Sequence, residues 1–415
     1  MCIRDRPPVV SVGIPGDLVV EEPYQLIGTI CDPYLAWYGI EFAPAGSGSY
    51  RLVAEGTSCV QGGVVAVIDP TSLANGLYDL RVSAYDEDGH LTVLNVGSPI
   101  VISSKLKIGQ FTLAFQDIGI PVSGIPINVQ RVYNSFDKQQ GDFGIGWDMA
   151  LMSGVKLQTT RTLGTGWQAV ESGSWLGTPT YDLVTDNVPR VLVTYADGRQ
   201  DRFEFTPSFV TQPAISPDWV RPSFTALDGV TANLEVLGAT DLLLDGGQLL
   251  DLSGREVGPF DPDRYRLTTT EGMELVISTT SGLESITDRN GNRLTFGPGG
   301  ISHSSGLGIA MDRDGSGRIT RITDPMGYEV NYAYDATGDL IGFTNQEGNL
   351  TEYGYDSDHN LISITDPRGI EVLQTQYDEL GRMIGTVDGL GNSTSIAHDT
   401  ENAVEYITDR NGHTT

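Results

Sequence analysis

Lysine is almost missing from this 415-residue chain: only Lys105, Lys107, Lys138 and Lys156 carry an ammonium, and all basic side chains number 25 against 54 acidic ones. A net charge of −29 leaves no basic face for a phosphate backbone, which would repel the chain, so nucleic acid is not an expected partner. Long apolar runs are also missing. The longest, such as Val64-Val65-Ala66-Val67-Ile68, fall far short of the roughly 18 to 20 residues that cross a bilayer as a helix, and no membrane span is expected. At the start, Met1-Cys2-Ile3-Arg4-Asp5-Arg6 is charged but runs into Pro7-Pro8 without the apolar core of a signal peptide. The sequence therefore implies export by another route or a start that lies upstream. Three cysteines, Cys2, Cys31 and Cys59, are too few for a disulfide scaffold. Cys31 and Cys59 either bridge two strands of one small domain or remain unpaired thiols.

Catalytic signatures are missing too. Gly-x-Ser-x-Gly, His-Glu-x-x-His and Gly-x-x-x-x-Gly-Lys do not occur, so no catalytic residue, metal site or cofactor is expected. The five histidines, His90, His303, His359, His398 and His413, are scattered. Helical spacing of apolar residues is nearly absent along the whole chain. Short alternating runs punctuated by Gly, Asn, Asp and Pro take its place, and the 51 glycines mark many turns. In Leu77-Tyr78-Asp79-Leu80-Arg81-Val82-Ser83-Ala84-Tyr85, the residues Tyr78, Leu80, Val82 and Ala84 share one face and Leu77, Asp79, Arg81 and Ser83 the other. One face is buried and one is wet. The chain is expected to be all-β.

A repeat sets the architecture. An Asp-x-x-Gly turn recurs at Asp324 to Gly327, Asn345 to Gly348, Asp366 to Gly369, Asp388 to Gly391 and Asp409 to Gly412, with offsets of 21, 21, 22 and 21 residues. In phase with it runs an aromatic followed by Asp: Tyr334-Asp335, Tyr355-Asp356, Tyr377-Asp378 and a degenerate His398-Asp399. An apolar slot follows at Leu340, Leu361, Met383 and Val404, and extrapolates back to Ile319. Landmarks that stay in register in this way signal one supersecondary unit copied along an array. Each unit reads as a hairpin. Val330, Tyr332 and Tyr334 share a strand face; Asp335 to Gly338 supplies an Asx-type turn with Gly338 at the positive-φ position; Leu340 to Thr344 is the return strand; and Asp324-Pro325-Met326-Gly327 shows the turn between units. Gly381 matches Gly338 in the unit that contains Tyr377 and Asp378. A lone hairpin is marginal in water, so the units are expected to pair edge to edge into one sheet. The tyrosines invite a reading as stacking platforms for sugars or bases. A ring at a fixed strand position whose hydroxyl finds a partner favours a repeated core ladder instead.

The series Tyr-Asp-x-x-Gly-x-Leu and Thr-Asp-Pro-x-Gly resembles the RHS or YD-repeat family, through Tyr334-Asp335 to Leu340, Tyr377-Asp378-Glu379-Leu380-Gly381-Arg382-Met383 and Ile364-Thr365-Asp366-Pro367-Arg368-Gly369. That family includes bacterial polymorphic toxins, wall-associated proteins, insecticidal toxin-complex components and teneurins. A second stretch, Pro126-Ile127-Asn128-Val129-Gln130-Arg131-Val132-Tyr133-Asn134-Ser135 followed by Gly141-Asp142-Phe143-Gly144-Ile145-Gly146-Trp147, is similar to the start of the RHS region in such proteins, so the resemblance covers about residues 108 to 415. It implies structural roles for Arg131 and Trp147. Residues 7–102 resemble an Ig-like or fibronectin-type sandwich of bacterial surface proteins, with 103–108 as linker. The expected fold is an N-terminal Ig-like β-sandwich (7–102), a β-rich start of the RHS region (103–282) and a curved, spiralling antiparallel sheet of YD hairpins (283–415).

The resemblance implies a non-enzymatic shell segment of a secreted or surface-displayed bacterial protein, which encloses or presents its own C-terminal cargo, often a toxin released by self-cleavage. The paired aspartates of that cleavage lie further downstream in relatives, and no match occurs here; the chain reads as cut in mid-repeat. The alternative is an adhesion module that recognises surface carbohydrate or a target-cell receptor. Two local patterns are weighed against the repeat. Asp312-Arg313-Asp314-Gly315-Ser316-Gly317 resembles half of a Ca²⁺ loop, but Thr323 stands where a full loop needs a carboxylate, and Asp314, Gly317 and Ile319 each lie 21 residues before their repeat equivalents. The acidic surplus reads either as a solubilising surface or as an inner wall for a basic passenger.

Overall fold

The computed structural model describes residues 6–16, 18–175, 178–210, 219–238, 241–252, 258–399, 402 and 404–415. Residues 6–104 form two facing sheets. One pairs Val9–Val12, Tyr24–Cys31 and Val60–Ile68; the other runs Val19–Val20, Ile100–Ile102, Gly76–Asp86, Leu35–Pro44 and Arg51–Gly56, with Leu91–Asn95 also on Gly76–Asp86. The alternation read along Leu77 to Tyr85 holds: Tyr78, Leu80, Val82 and Ala84 lie inside, with Leu26, Ile30, Ile40 and Phe42 from the other strands. Cys31 and Cys59 are disulfide-bonded, which decides between the two readings of the cysteines.

The segment 103–108 differs from a free linker. Ile108 is buried and its N–H reaches Thr71 O, while Lys107 Nζ donates to Pro70 O and Leu73 O at 2.7 and 2.6 Å. Burial pulls the Lys107 ammonium down to about 7. A packed connector of this kind fastens the sandwich to the repeat-bearing part of the chain.

The dominant element is a 16-stranded antiparallel sheet. It starts with Asn233–Val236 on Arg264–Thr268 and then continues in chain order strand by strand to Val404–Thr408. The sheet thus begins 283 − 233 = 50 residues before the expected start of the repeats. Early hairpins keep the strand alternation but lose the Tyr-Asp landmark, so spacing alone does not find them. Three smaller sheets cover the same side: Thr112–Ile120, Ile127–Asn134 and Trp147–Met149; Lys156–Thr159, Arg190–Thr194, Gln200–Phe205 and Phe224–Ala226; and Ser208–Phe209, Trp219–Arg221, Leu242–Asp245, Gln248–Asp251 and Gly258–Pro259. All share one hydrophobic core with the face of the long sheet, from Ile118 to Ile364. Glu274, Asp312, Glu329, Glu352 and Glu371 stand exposed on its strands while Leu275, Met311, Val330, Tyr353 and Leu361 are buried, so carboxylates line the outer face here.

Candidate functional site

The repeat landmarks meet residues 108–149 along the buried face, where the polar groups of both are interlocked. The building block of this junction is the turn. Asp335 Oδ1 accepts the N–H groups of Thr337, Gly338 and Asp339; Asp356, Asp378, Asp324, Asp366, Asp388 and the equivalent Asn345 accept those two and four residues on. Both ends of these hairpins therefore use one device, an Asx turn with a left-handed fourth residue. Gly327, Gly338, Gly348, Gly369, Gly381 and Gly391 all have φ between 75° and 107°.

The histidines belong to the same scheme. His359 takes the glycine slot with φ 59°, His303 takes the Asp slot and accepts Ser305 N on Nδ1 at 3.0 Å, and His398 takes the Tyr slot. His413 follows the glycine of an Asp409 turn, and in the sandwich His90 follows Gly89 in an Asp86 turn of the same form. Asp314 does likewise, its oxygens taken by Ser316 N, Arg318 N and the Arg318 guanidinium. Among the described residues no group of three or more His, Cys, Asp or Glu is placed to hold a metal ion.

A β-bulge explains why a tyrosine recurs. The strand register slips between Ala333 and Tyr334, Gly354 and Tyr355, and Gln376 and Tyr377, each time opposite the apolar slot. A bulge removes backbone groups from the ladder and adds twist. The carbonyls it strands are met by the tyrosine one unit later: Tyr334 Oη donates to Ile319 O at 2.5 Å and Tyr377 Oη to Leu361 O at 3.1 Å, while His398 Nε2 lies 2.8 Å from Met383 O. The stranded N–H groups go to the segment that crosses the sheet. Ile319 N donates to Asp142 O at 2.8 Å, Leu361 N to Tyr133 Oη at 2.9 Å and Met383 N to Gly109 O at 2.8 Å, and Ile145 N closes on Gly338 O. Tyr355 instead receives Trp147 Nε1 at 2.8 Å. Residues 108–149 thus act as a brace that satisfies successive repeats.

At the centre sits Arg131, fully buried. Its Nε and Nη2 meet Asp117 at 2.6 and 3.1 Å, Nη2 also donates to Tyr353 Oη, and Tyr332 Oη donates to Asp117 at 2.8 Å. Six rings surround the guanidinium, from Phe343 at 4.5 Å and Trp147 at 5.1 Å to Phe143 at 6.0 Å. Burial alone would lower the guanidinium pKa, but the Asp117 carboxylate outweighs it and holds the value above its ordinary range. Burial pushes the Tyr332 and Tyr353 hydroxyls up, so they stay protonated donors and acceptors. An ion pair closed in by rings and hydroxyls orients a core; it offers no activated nucleophile. Arg131 and Trp147 were legible as structural positions, whereas Asp117 and Lys138 were not, because each has a partner over 200 residues away, Tyr332 and Asn360.

Residues 313–344, 334–372 and 355–393 match the RHS Repeat family, and residues 105–203 match a domain of unknown function, DUF6531. A comparison with curated proteins finds no match. Among solved structures, the chain is similar to a DUF4784 family protein from Bacteroides caccae, at 10% identity over 96% of this chain and 93% of that one with a TM-score of 0.15. It is also similar to the Tc holotoxin pore of Photorhabdus luminescens, at 14% identity over 94% of this chain and 20% of that one with a TM-score of 0.17. The chain spans about a fifth of that toxin chain, and neither superposition is close enough to carry an argument.

Proposed function

From a chain that belongs to the RHS-repeat family through residues 313–393, we propose a non-enzymatic role: a shell segment of a secreted or surface-displayed bacterial protein, which encloses or presents a C-terminal domain of the same polypeptide. The observation that carries this reading is the inner face of the sheet. Tyr332 pairs with Phe343, Tyr353 with Ile364 and, in the last hairpin, Ile396 with Ile407. Burial declines along this series: Tyr353 and Ile364 are buried at 5% and 6% exposure, whereas Ile407 is 43% exposed. Ile396 lies two residues before His398, which fills the Tyr slot with its side chain turned in, so half-buried Ile396 and exposed Ile407 face inward as well. At this end, among the described residues, the brace touches the last strand only where Gly109 N donates to Glu405 Oε1 at 2.7 Å, and the apolar side beyond is left open. A polypeptide held there would cover Ile396 and Ile407.

The test is a chain extended downstream, studied by limited proteolysis and small-angle scattering. The expected outcome is a protease-resistant particle with a hollow in its scattering profile and a protected interior segment. A compact solid globule would contradict enclosure.

One observation favours the adhesion alternative. Trp37 and Tyr85 stack at 5.5 Å on the sandwich, with Tyr85 41% exposed, a surface of the kind that stacks on sugar rings. Glycan-array binding lost in Tyr85→Ala with the fold intact would support it. The repeat tyrosines offer no such platform, since Tyr332 and Tyr353 are buried and the hydroxyls of Tyr334, Tyr355 and Tyr377 are engaged.

A further inference from the structure

Lysine is rare here, and Lys138 is set against a carboxamide instead of a carboxylate. Among the described residues its ammonium forms no salt bridge. Nζ is 2.7 Å from Asn360 Oδ1 and 3.2 Å from His359 O, so it rests against the side-chain amide of a buried asparagine, 2% exposed. On the other side of that amide, Asn360 Nδ2 donates to Asp356 Oδ2 at 2.9 Å. An amine, a carboxamide and a carboxylate are therefore aligned in a part-buried site between the brace and a repeat turn.

The repeats supply internal controls. Asn292 and Asn392 occupy the same turn position and donate Nδ2 to Asp288 and Asp388 at 2.7 and 2.8 Å. The bond from amide to carboxylate is thus a routine lock of this turn. Among the described residues, only at Asn360 does a lysine from elsewhere in the chain close on the amide oxygen, with 222 residues between the two.

We propose that Lys138 and Asn360 join in an intramolecular isopeptide bond. The lone pair of neutral Nζ attacks Asn360 Cγ, the carbon bonded to the oxygen that Nζ already touches. A Nζ–Cγ bond forms and the Cγ–Nδ2 bond breaks, its electron pair leaving with Nδ2. Once bonded to Cγ, Nζ stands beside Nδ2 on the same carbon, so the proton it sheds passes to Nδ2 with Asp356 Oδ2, already in contact with Nδ2, as the shuttle, and the leaving group departs as ammonia. Nothing is oxidised or reduced and no co-reactant is needed. Burial, and next the Arg51 guanidinium, pull the Lys138 pKa down to about 8, so a usable fraction is neutral near physiological pH. Arginine stays protonated and cannot react in this way, which accounts for a lysine at this position. The bond would tie the brace to the sheet covalently.

The experiment is intact-mass analysis of the purified full chain under denaturing conditions, then peptide mapping. The expected result is a mass lower by one ammonia, about 17 Da, and a branched peptide that joins the segment containing Lys138 to that containing Asn360. Lys138→Arg, which keeps donors to Asn360 and His359, should show the full mass in a folded protein. Asp356→Asn should form the turn, since Asn345 heads the same turn in this chain, but should contain several-fold less linked product. A full-mass wild-type chain with separate peptides would overturn the proposal, as would ammonia loss that maps to Asn292 or Asn392. Complete linkage in Asp356→Asn would overturn the role given to the carboxylate.

Discussion

The repeats between 313 and 365 and those between 371 and 408 share spacing and antiparallel pairing, yet the bulge found at Tyr334, Tyr355 and Tyr377 is missing at His398 and their interiors differ. The first group has Ile319, Leu340 and Leu361 fully buried under the brace; in the second the same slot is half-buried at Met383, and Ile407, on the inner face of the last hairpin, is 43% exposed. Hairpin formation depends on local turn chemistry, and the same Asx turn is headed by Asp324 and Asp335 in the first group and by Asp378 and Asp388 in the second. Core formation depends on whether residues 108–149 and the sheets behind them lie over the face. One sequence pattern thus yields two energetic regimes within a single sheet.

The strongest way to break this contrast is to remove its keystone. Arg131→Ala leaves Asp117 buried without its counter-ion, and the expected destabilisation is about 3–5 kcal/mol. Hydrogen exchange should then rise across 313–365 far more than across 383–408. Equal rises in both stretches would show that the brace does not set the difference.

A direct comparison of equivalent isoleucines comes next. Ile364→Ala should cost about 2–5 kcal/mol in urea unfolding, and Ile407→Ala about 1 kcal/mol or less. Similar costs would place Ile407 in a core that the structure lacks.

Tyrosine hydroxyls give a smaller effect. Tyr334→Phe strands Ile319 O beside the bulge and should cost about 1–3 kcal/mol, with the ring packing unchanged by near-ultraviolet circular dichroism.

Turn carboxylates should show the least contrast, because they are local. Asp335→Ala and Asp388→Ala each lose Asx bonds and should lower the thermal midpoint by small and similar amounts. Acid should act on both groups together. Burial raises the Asp335 carboxyl, but the Thr337 hydroxyl and the N–H groups of its turn outweigh it and hold it below the usual range, and the Asn392 amide and N–H do the same for Asp388. A depressed folded pKa stabilises above the unfolded value of roughly 4 and loses that contribution as pH falls through the folded one. Denaturation midpoints should therefore stay level from neutral pH to about 5 and drop below about 4. A midpoint that falls between pH 7 and 5 would point to other groups.

The legible part of the fold was that written at short range. Asp324, Tyr334 and Gly338 announce turn, strand face and turn within one 21-residue period, since an Asx turn needs only its own residues and a glycine φ. The strands from Asn233 onward join the same sheet but lack the Tyr-Asp marker, so the spacing does not announce them. The site was legible in part. Tyr334 and Tyr377 were readable as a core ladder, but the carbonyl each hydroxyl reaches is displaced by a bulge, which alternation does not encode.

By itself the sequence determined an acidic all-β chain with a phased hairpin array, because charge, alternation and turn residues act over a few positions. Only the tertiary structure decided that Tyr353 meets Arg131, that Tyr133 serves Leu361 and that Lys138 rests on Asn360. Those contacts join segments more than 200 residues apart, and they arise because bulged strands leave polar groups that a distant segment must satisfy once water is excluded.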